Sequence, residues 1–140
     1  MSRYLLDTDT ITLLQHNHPQ VLQNLSNHTA ADVAISVINV QEQLAGWVSA
    51  INQARTPPAI RIAYDRLPNE LLPVWKRFFV VSFLEPAILR FRQLLRQKLN
   101  VRGMDLRIAA IALENGLIVV TRNRRDFGRV PALVIEDWSV

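Results

Sequence analysis

The chain has 140 residues, a formal net charge of +4, and 49% hydrophobic and 20% charged side chains, a composition typical of a globular domain with a buried core. It contains no cysteine, which excludes disulfides, thiolate metal sites and cysteine nucleophiles. Its apolar runs are shorter than the roughly 18 residues that span a bilayer and its first residues lack the features of a signal peptide, so we expect a cytoplasmic protein that does not enter the membrane.

The first third of the chain alternates between strand and helix patterns. A short strand at residues 3–7 leads into a helix around 9–15, and the stretch HNHPQVLQNLSNH then predicts a turn and a second short helix. The run DVAIS, residues 32–36, predicts a buried strand, and NVQEQLAGWVSAINQAR predicts the helix after it.

The middle of the chain continues this alternation. A long helical pattern covers residues 59–78, although Pro68 and Pro73 should kink or divide it. The run FVVSFL, residues 79–84, predicts a third strand, and a basic amphipathic helix follows over residues 86–99.

The last third contains a helix and two strands. The segment MDLRIAAIALENG is apolar nearly all round and predicts a buried helix that ends at Asn115-Gly116. The runs LIVVT and ALVIED predict a fourth and a fifth strand. Because strands and helices alternate without a repeat or a linker, we expect residues 1–140 to form one α/β domain, with a central, mostly parallel sheet of about five strands flanked by helices.

Acidic or amide side chains occur near the ends of these strands, where ligands bind to open parallel sheets. Asp7 ends the first strand, and Glu42 lies about two turns into the helix after the second. Asp105 begins the buried helix, while Asn123 and Asp126 follow the fourth strand. Each also has a structural explanation, as a solvated strand end, an exposed helical residue, a partner of a helix dipole or a member of an ion pair. Their common position at strand ends favours a shared site.

Basic residues form a second candidate feature. Residues 1–83 carry six basic and six acidic side chains, whereas residues 84–140 carry ten basic and six acidic ones, so the excess lies in the second part. Arginine suits phosphate because its planar guanidinium can bind two oxygens at once. We expect Arg107, Arg122 and Arg124 to be candidates for contacts with the phosphates of a ligand, with simple surface charge as the alternative.

Other polar residues are weaker candidates for a functional role. Thr8 is a candidate for contact with the site or a substrate phosphate, or for capping a helix. His16 and His18 have a spacing that fits common metal sites poorly, so we expect loop roles. Ser36 has no histidine or aspartate at a spacing that would make it a nucleophile.

Several stretches together resemble the motifs of PIN domains, in particular the VapC-like toxins of bacterial toxin–antitoxin modules. The resemblance covers the whole chain and is carried by YLLDTD, AISVINVQEQLAGW and, most specifically, GMDLRIAAIALENGLIVVTRNRRDFGRVPALVIEDW. It implies a ribonuclease that depends on Mg²⁺ or Mn²⁺ and hydrolyses RNA phosphodiester bonds, with Asp7, Glu42 and Asp105 as catalytic metal ligands. A fourth family position, often aspartate, aligns best with Asn123, which supplies a carbonyl oxygen but no charge.

The resemblance also implies partners. It implies a small cognate antitoxin that holds the nuclease inactive, and a homodimer formed through helices around residues 40–53 and 59–78, with Trp47 and Trp75 as natural anchors. The antitoxin tail would lie across the basic helix and the acidic groove.

The residue types lead to the same chemistry without the resemblance. Mg²⁺ prefers oxygen ligands, and three converging carboxylates would repel one another unless a cation neutralised them. Such a cation can activate water and stabilise charge developing on a phosphoryl group.

Two other functions stay open. One is a catalytically degenerate PIN-like domain that binds RNA or protein, which Asn123 favours and the three acidic positions oppose. The other is a receiver-like phosphoacceptor domain, which would need an aspartate at the end of its third strand, where this chain reads FVVSFLE.

Overall fold

The computed structural model describes residues 2–140 and contains one five-stranded sheet in which every neighbouring pair of strands is parallel. The strand order is β3-β2-β1-β4-β5, so β1 lies at the centre. The strands are β1 (Tyr4–Leu6), β2 (Val33–Ser36), β3 (Phe79–Val81), β4 (Ile118–Val120) and β5 (Ile135–Glu136). The expected α/β fold with a parallel sheet is confirmed.

Helices connect and cover the strands on both faces. They are α1 (Thr8–Gln15), α2 (Pro19–Ser26), α3 (Val37–Gln53), α4 (Pro57–Arg66), α5 (Leu72–Trp75), α6 (Glu85–Arg96), α7 (Gly103–Asn115) and α8 (Arg124–Phe127). Among residues 2–140, no helix is long and apolar enough to cross a membrane.

The prolines divide the long helical pattern, as expected. A π-helical turn over Leu67–Leu71 separates α4 from α5, and it contains Pro68. Pro73 stands within the first turn of α5, where its missing N–H costs nothing. Two indole N–H groups then fix these helices: Trp47 donates to the Ala63 carbonyl at 2.9 Å and Trp75 to the Gln43 side chain at 2.6 Å.

Some elements differ from the sequence prediction in their ends or in their existence. Strand β3 stops at Val81, because Leu84 adopts the extended backbone that precedes α6. Helix α6 ends at Arg96, before Lys98, which has a positive φ of 51°. Helix α8 is a short turn that hydrophobic periodicity does not reveal. By contrast, α7 ends at Gly116 as expected, where a left-handed φ of 64° suits glycine.

The core consists of two layers separated by the sheet. Leu5 faces α6 and α7, while its neighbours Tyr4 and Leu6 face α1 and α2 on the other side, as alternation along a strand requires. All three are buried, consistent with a parallel sheet covered on both faces.

Helices also begin at the carboxyl edge of the sheet. Helix α1 starts directly after β1 and α3 directly after β2, capped by the side chains of Asp7 and Ser36. Only Gly116 and Leu117 separate α7 from β4, so α7 reverses direction and its first turn lies at the same edge. The positive ends of three helix dipoles therefore meet where the strands end.

Candidate active site

Asp7 is buried at the junction of β1 and α1, with 4% of its surface exposed. Its Oδ1 accepts the backbone N–H of Thr10 at 2.8 Å, which caps α1. Burial raises the pKa of the Asp7 carboxyl, and contacts with Thr10 and Thr121 oppose that rise only in part. The carboxylate is therefore held in a place where its negative charge is disfavoured without a nearby cation.

Glu42 points from the second turn of α3 toward the start of α1. Its Oε1 accepts the Thr8 hydroxyl at 2.6 Å, and the Thr8 oxygen accepts Asn39 Nδ2 at 3.0 Å. Asn39 Oδ1 in turn accepts the backbone N–H and the hydroxyl of Ser36, both at 2.7 Å. This chain of hydrogen bonds fixes the Glu42 carboxylate against β2 and places Thr8 in contact with a candidate ligand.

Asp105 lies in the first turn of α7 and is 6% exposed. Arg102 binds it with two donors, Nη2 at 3.0 Å from Oδ1 and Nε at 3.3 Å from Oδ2. The same Nη2 donates to Glu42 Oε2 at 3.1 Å. Asp105 and Glu42 together raise the pKa of the Arg102 guanidinium, Asp105 contributing most. The structure thus brings two of the three predicted carboxylates to one positive group.

Asn123 and Asp126 bond to each other. Asn123 Oδ1 accepts the backbone N–H of Asp126 at 3.3 Å, and Asn123 Nδ2 donates to Asp126 Oδ2 at 3.1 Å. Asp126 also pairs with Arg129 at 3.5 Å. Asn123 therefore caps α8, and its predicted role as a metal ligand stays a prediction.

The candidate arginines separate into two groups. Arg122 Nε donates to Asp9 Oδ2 at 2.6 Å, near the start of α1, and Arg124 is exposed at the start of α8. Arg107, on α7, instead packs against α6, with its guanidinium carbon 4.4 Å from the centre of the Phe91 ring. Phosphate contacts by all three arginines stay predictions.

The two histidines have the expected loop roles. His16 ends α1 and is exposed, and His18 Nδ1 accepts the N–H of Val21 at 3.3 Å at the start of α2.

The donor set suits a hard cation, although it is not gathered into a complete cage. Within the described part of the chain, no group of three or more His, Cys, Asp or Glu side chains is arranged to hold a metal ion. Glu42 and Asp105 nevertheless already bind one cationic group together. Mg²⁺ is commonly held by one or two carboxylates with water in its other positions. The carboxylate oxygens of Glu42 and Asp105 fit such an ion, and Asp7 is a candidate third ligand.

Sequence reasoning missed Arg102 and Asn39. Asn39 had a detectable signal, because Ser36-x-x-Asn39 at a strand-to-helix junction forms a capping box. The sequence carries no comparable signal for Arg102 apart from its position three residues before Asp105, because its contact with Glu42 joins residues that are 60 positions apart.

Comparison with known proteins identifies the fold. A sequence model described as PIN domain matches residues 4–133. The tRNA(fMet)-specific endonuclease VapC of Salmonella typhimurium is 29% identical over 99% of both chains, and the plasmid stability protein StbB of Pseudomonas syringae pv. tomato is 31% identical over 96% of this chain and 98% of that protein. DNA-bound VapBC from Salmonella typhimurium contains a chain that superposes with a TM-score of 0.78 at 27% identity, covering 99% of each.

Replacement of Asp7 tests whether its charge is tolerated only with a cation. Asp7→Asn keeps an oxygen able to cap α1 but removes the charge that burial disfavours. Because the folded-state pKa is raised, the ionised carboxylate destabilises the metal-free fold above that pKa, and the penalty vanishes as pH falls below the unfolded value of about 3.9. In EDTA at pH 7.5 we expect Asp7→Asn to be at least as stable as the unmodified protein in urea unfolding, with any advantage shrinking toward pH 4.

Asp7→Ala is the matched control, because it removes both the charge and the cap. Loss of an N-cap costs about 1 kcal/mol, so this variant should be less stable than Asp7→Asn by about that amount. An Asp7→Asn protein that unfolds more easily than the unmodified chain at pH 7.5 would contradict this interpretation.

Proposed function

The chain belongs to the PIN domain family, and from that membership we propose that it is a metal-dependent endoribonuclease, the toxin of a VapBC-type toxin–antitoxin system. The observation that carries the proposal is the pairing of Glu42 and Asp105 around one positive charge. Glu42 also accepts the hydroxyl of Thr8, which directly follows the buried Asp7. The endonuclease named for the Salmonella relative and the alignment over 99% of both chains support this assignment.

The proposed cofactor is Mg²⁺ or Mn²⁺, held by Asp7, Glu42 and Asp105. When bound, such an ion stabilises charge developing on a phosphoryl group and lowers the pKa of a bound water. The protein's own contribution is placement: Asp7 is fixed by the cap of α1, and Glu42 by the Thr8 hydroxyl. Both lie on rigid elements, which is what in-line attack on a phosphodiester requires.

The surroundings of the site suit a polyanion. The amino-terminal ends of α1, α3 and α7 direct partial positive charge toward the carboxyl edge of the sheet. Arg122 and Arg124 lie on the loop after β4 at the same edge. Contacts of these kinds bind the phosphates of RNA and place no requirement on its bases.

A catalytically degenerate PIN-like domain that binds RNA or protein is the second candidate function. Two observations favour it: Asn123 stands at an often acidic family position and bonds to Asp126, and Arg102 occupies the Glu42–Asp105 pair. Cleavage distinguishes it from the nuclease, because a degenerate domain would bind RNA without shortening it.

The proposed partner is a small antitoxin in the cytoplasm. Several solved relatives were determined as complexes, among them DNA-bound VapBC from Salmonella typhimurium and VapBC2 from Rickettsia felis with promoter DNA. On this chain, α6 presents Arg92 and Arg96 to solvent, and an acidic or carboxylate-rich tail would complement them.

The proposed assembly is a homodimer through α3 and α4. These helices expose large apolar side chains, namely Leu44 (36%), Val48 (48%), Ile60 (38%), Ile62 (57%) and Tyr64 (53%). The indole N–H groups of Trp47 and Trp75 donate to groups within the same protomer. We therefore propose that the two side chains hold the helices of this surface in place.

Loss of a single carboxylate tests the nuclease. Asp105→Asn should reduce cleavage of total RNA by about 100-fold or more, because metal stabilisation of the transition state is worth several kcal/mol. EDTA should abolish cleavage by the unmodified protein and Mg²⁺ or Mn²⁺ should restore it. Asp65→Asn is the control, since Asp65 is an exposed carboxylate paired with Arg61 on α4. Cleavage that persists in EDTA or in Asp105→Asn would exclude the proposed metal site.

The dimer is tested by charge on its proposed contact surface. Val48→Glu with Ile62→Glu should convert a dimer to a monomer in size-exclusion light scattering at tens of micromolar, since buried unpaired carboxylates are costly. Leu89→Glu on α6, another exposed apolar position, should leave the mass unchanged. A monomeric unmodified protein would refute the assembly.

The antitoxin is tested by co-purification. Affinity-tagged protein expressed with its neighbouring open reading frame should retain the untagged small product, and Arg92→Glu with Arg96→Glu should release it at lower salt. Arg55→Glu with Lys76→Glu, at two exposed positions outside α6, makes the same change in charge and serves as the control. If the neighbouring product never follows the unmodified protein, the toxin–antitoxin assignment fails while the nuclease assignment stands.

A further inference from the structure

Arg102 holds a position that no other basic residue of the described chain shares. The other ion pairs among residues 2–140 join each basic side chain to a single carboxylate. Arg102 Nη2 instead lies 3.1 Å from Glu42 Oε2 and 3.0 Å from Asp105 Oδ1, joining α3 to the first turn of α7. Its guanidinium occupies the space between two carboxylates, where a divalent cation that bound both would have to sit.

The burial of the three groups shows which of them can move. The side chains of Glu42 and Asp105 are 14% and 9% exposed, whereas that of Arg102 is 63% exposed. The arginine therefore covers the carboxylates from the solvent side. Glu42 is also held by Thr8, while the Arg102 side chain makes no capping bond to α7. Arg102 can swing into solvent without disturbing the backbone, whereas the carboxylates stay in place.

The two kinds of cation exclude each other at this position. A magnesium ion binds carboxylate oxygen at about 2.0–2.1 Å, closer than the guanidinium can approach. Both cations would need the inward-facing oxygens of Glu42 and Asp105, and like charges repel at such short range. Ion pairs with one well-exposed member are weak in water, so the arginine is readily displaced by a ligand that binds more strongly.

We propose that Arg102 is the resident counter-cation of the metal site, which pairs Glu42 with Asp105 in the metal-free protein and must leave for a divalent cation to bind. This inference rests on the proposed metal-dependent function and adds a residue to it. Arg102 prevents repulsion from separating the carboxylates when the metal is absent. It also lowers the apparent affinity for the metal, because only protein with Arg102 displaced can bind it.

Direct metal titration tests the competition. In calorimetric titration with Mn²⁺ alone, Arg102→Ala should bind about three- to tenfold more tightly than the unmodified protein, the factor by which a partly exposed pair competes. Arg102→Lys keeps the charge but loses the two-donor contact with Asp105, so its affinity should lie between the two. Arg90→Ala removes the same charge from an arginine that pairs with a single carboxylate, Glu114, in the last turn of α7, and its affinity should change much less.

Thermal melts provide a readout independent of catalysis. Without metal, Arg102→Ala should melt below the unmodified protein, because Glu42 and Asp105 lose their shared partner. In saturating Mg²⁺ the two melting temperatures should converge, since Arg102 no longer touches the carboxylates of the unmodified protein and is absent from the variant. Should Arg102→Ala fold poorly, Arg102→Lys supports the same comparison with a smaller difference.

The possible failures are distinguishable. If Arg102→Ala binds Mn²⁺ no more tightly than the unmodified protein, the inference is overturned. The proposed metal site still stands in that case if Asp105→Asn abolishes Mn²⁺ binding. Absence of Mn²⁺ binding in the unmodified protein and in Arg102→Ala alike overturns the metal-dependent function and, with it, the role of Arg102. An equal gain in affinity from Arg90→Ala would show a general charge effect and also overturn the inference.

Discussion

Two carboxylates from distant parts of the chain, Glu42 and Asp105, lie close enough to share one nitrogen atom of Arg102. Such proximity favours a positive charge between them, because ionised carboxylates that face each other without one repel. The surrounding structure supports this arrangement. Helices α1, α3 and α7 direct their positive ends toward it, and the parallel sheet provides one edge at which they meet. The site thus combines two carboxylates, which attract a cation, with helix ends whose partial positive charge attracts phosphate.

Much of the fold could be predicted because its signals are local. Strands β1, β2 and β4 are short apolar runs, and the prolines and Gly116 mark where helices divide or end. The errors arose where tertiary contacts decide. The run at residues 79–84 is apolar apart from Ser82, yet only its first three residues pair with β2, because Phe83 packs into the core and Leu84 is the residue that precedes α6.

The sequence suggested the acidic residues of the candidate site, but it did not reveal the side chains that form hydrogen bonds and ion pairs with them. Asp7 stands at a strand end, Asp105 in the first turn of α7 and Glu42 in the second turn of α3, positions that sequence order alone suggests. The interpretation of Arg107 as a phosphate contact relied on its closeness in sequence, whereas its orientation depends on Phe91 of a different helix. Arg102 was overlooked for the converse reason, since its partner Glu42 lies far away in the sequence and only packing brings them together.

The central position of β1 also bears on how the protein is made. The Asp7 N–H donates to the carbonyl of Val120, so the strand that carries the first carboxylate is completed by a strand near the other end of the chain. During synthesis Asp7 therefore emerges from the ribosome well before the strand that pairs with it. Long-range pairing of this kind is slow and delays folding until the partner strand exists. A nascent chain that has not yet reached β4 cannot complete the centre of the sheet, so the strand that leads to Asp7 is held in place only after β4 has been synthesised.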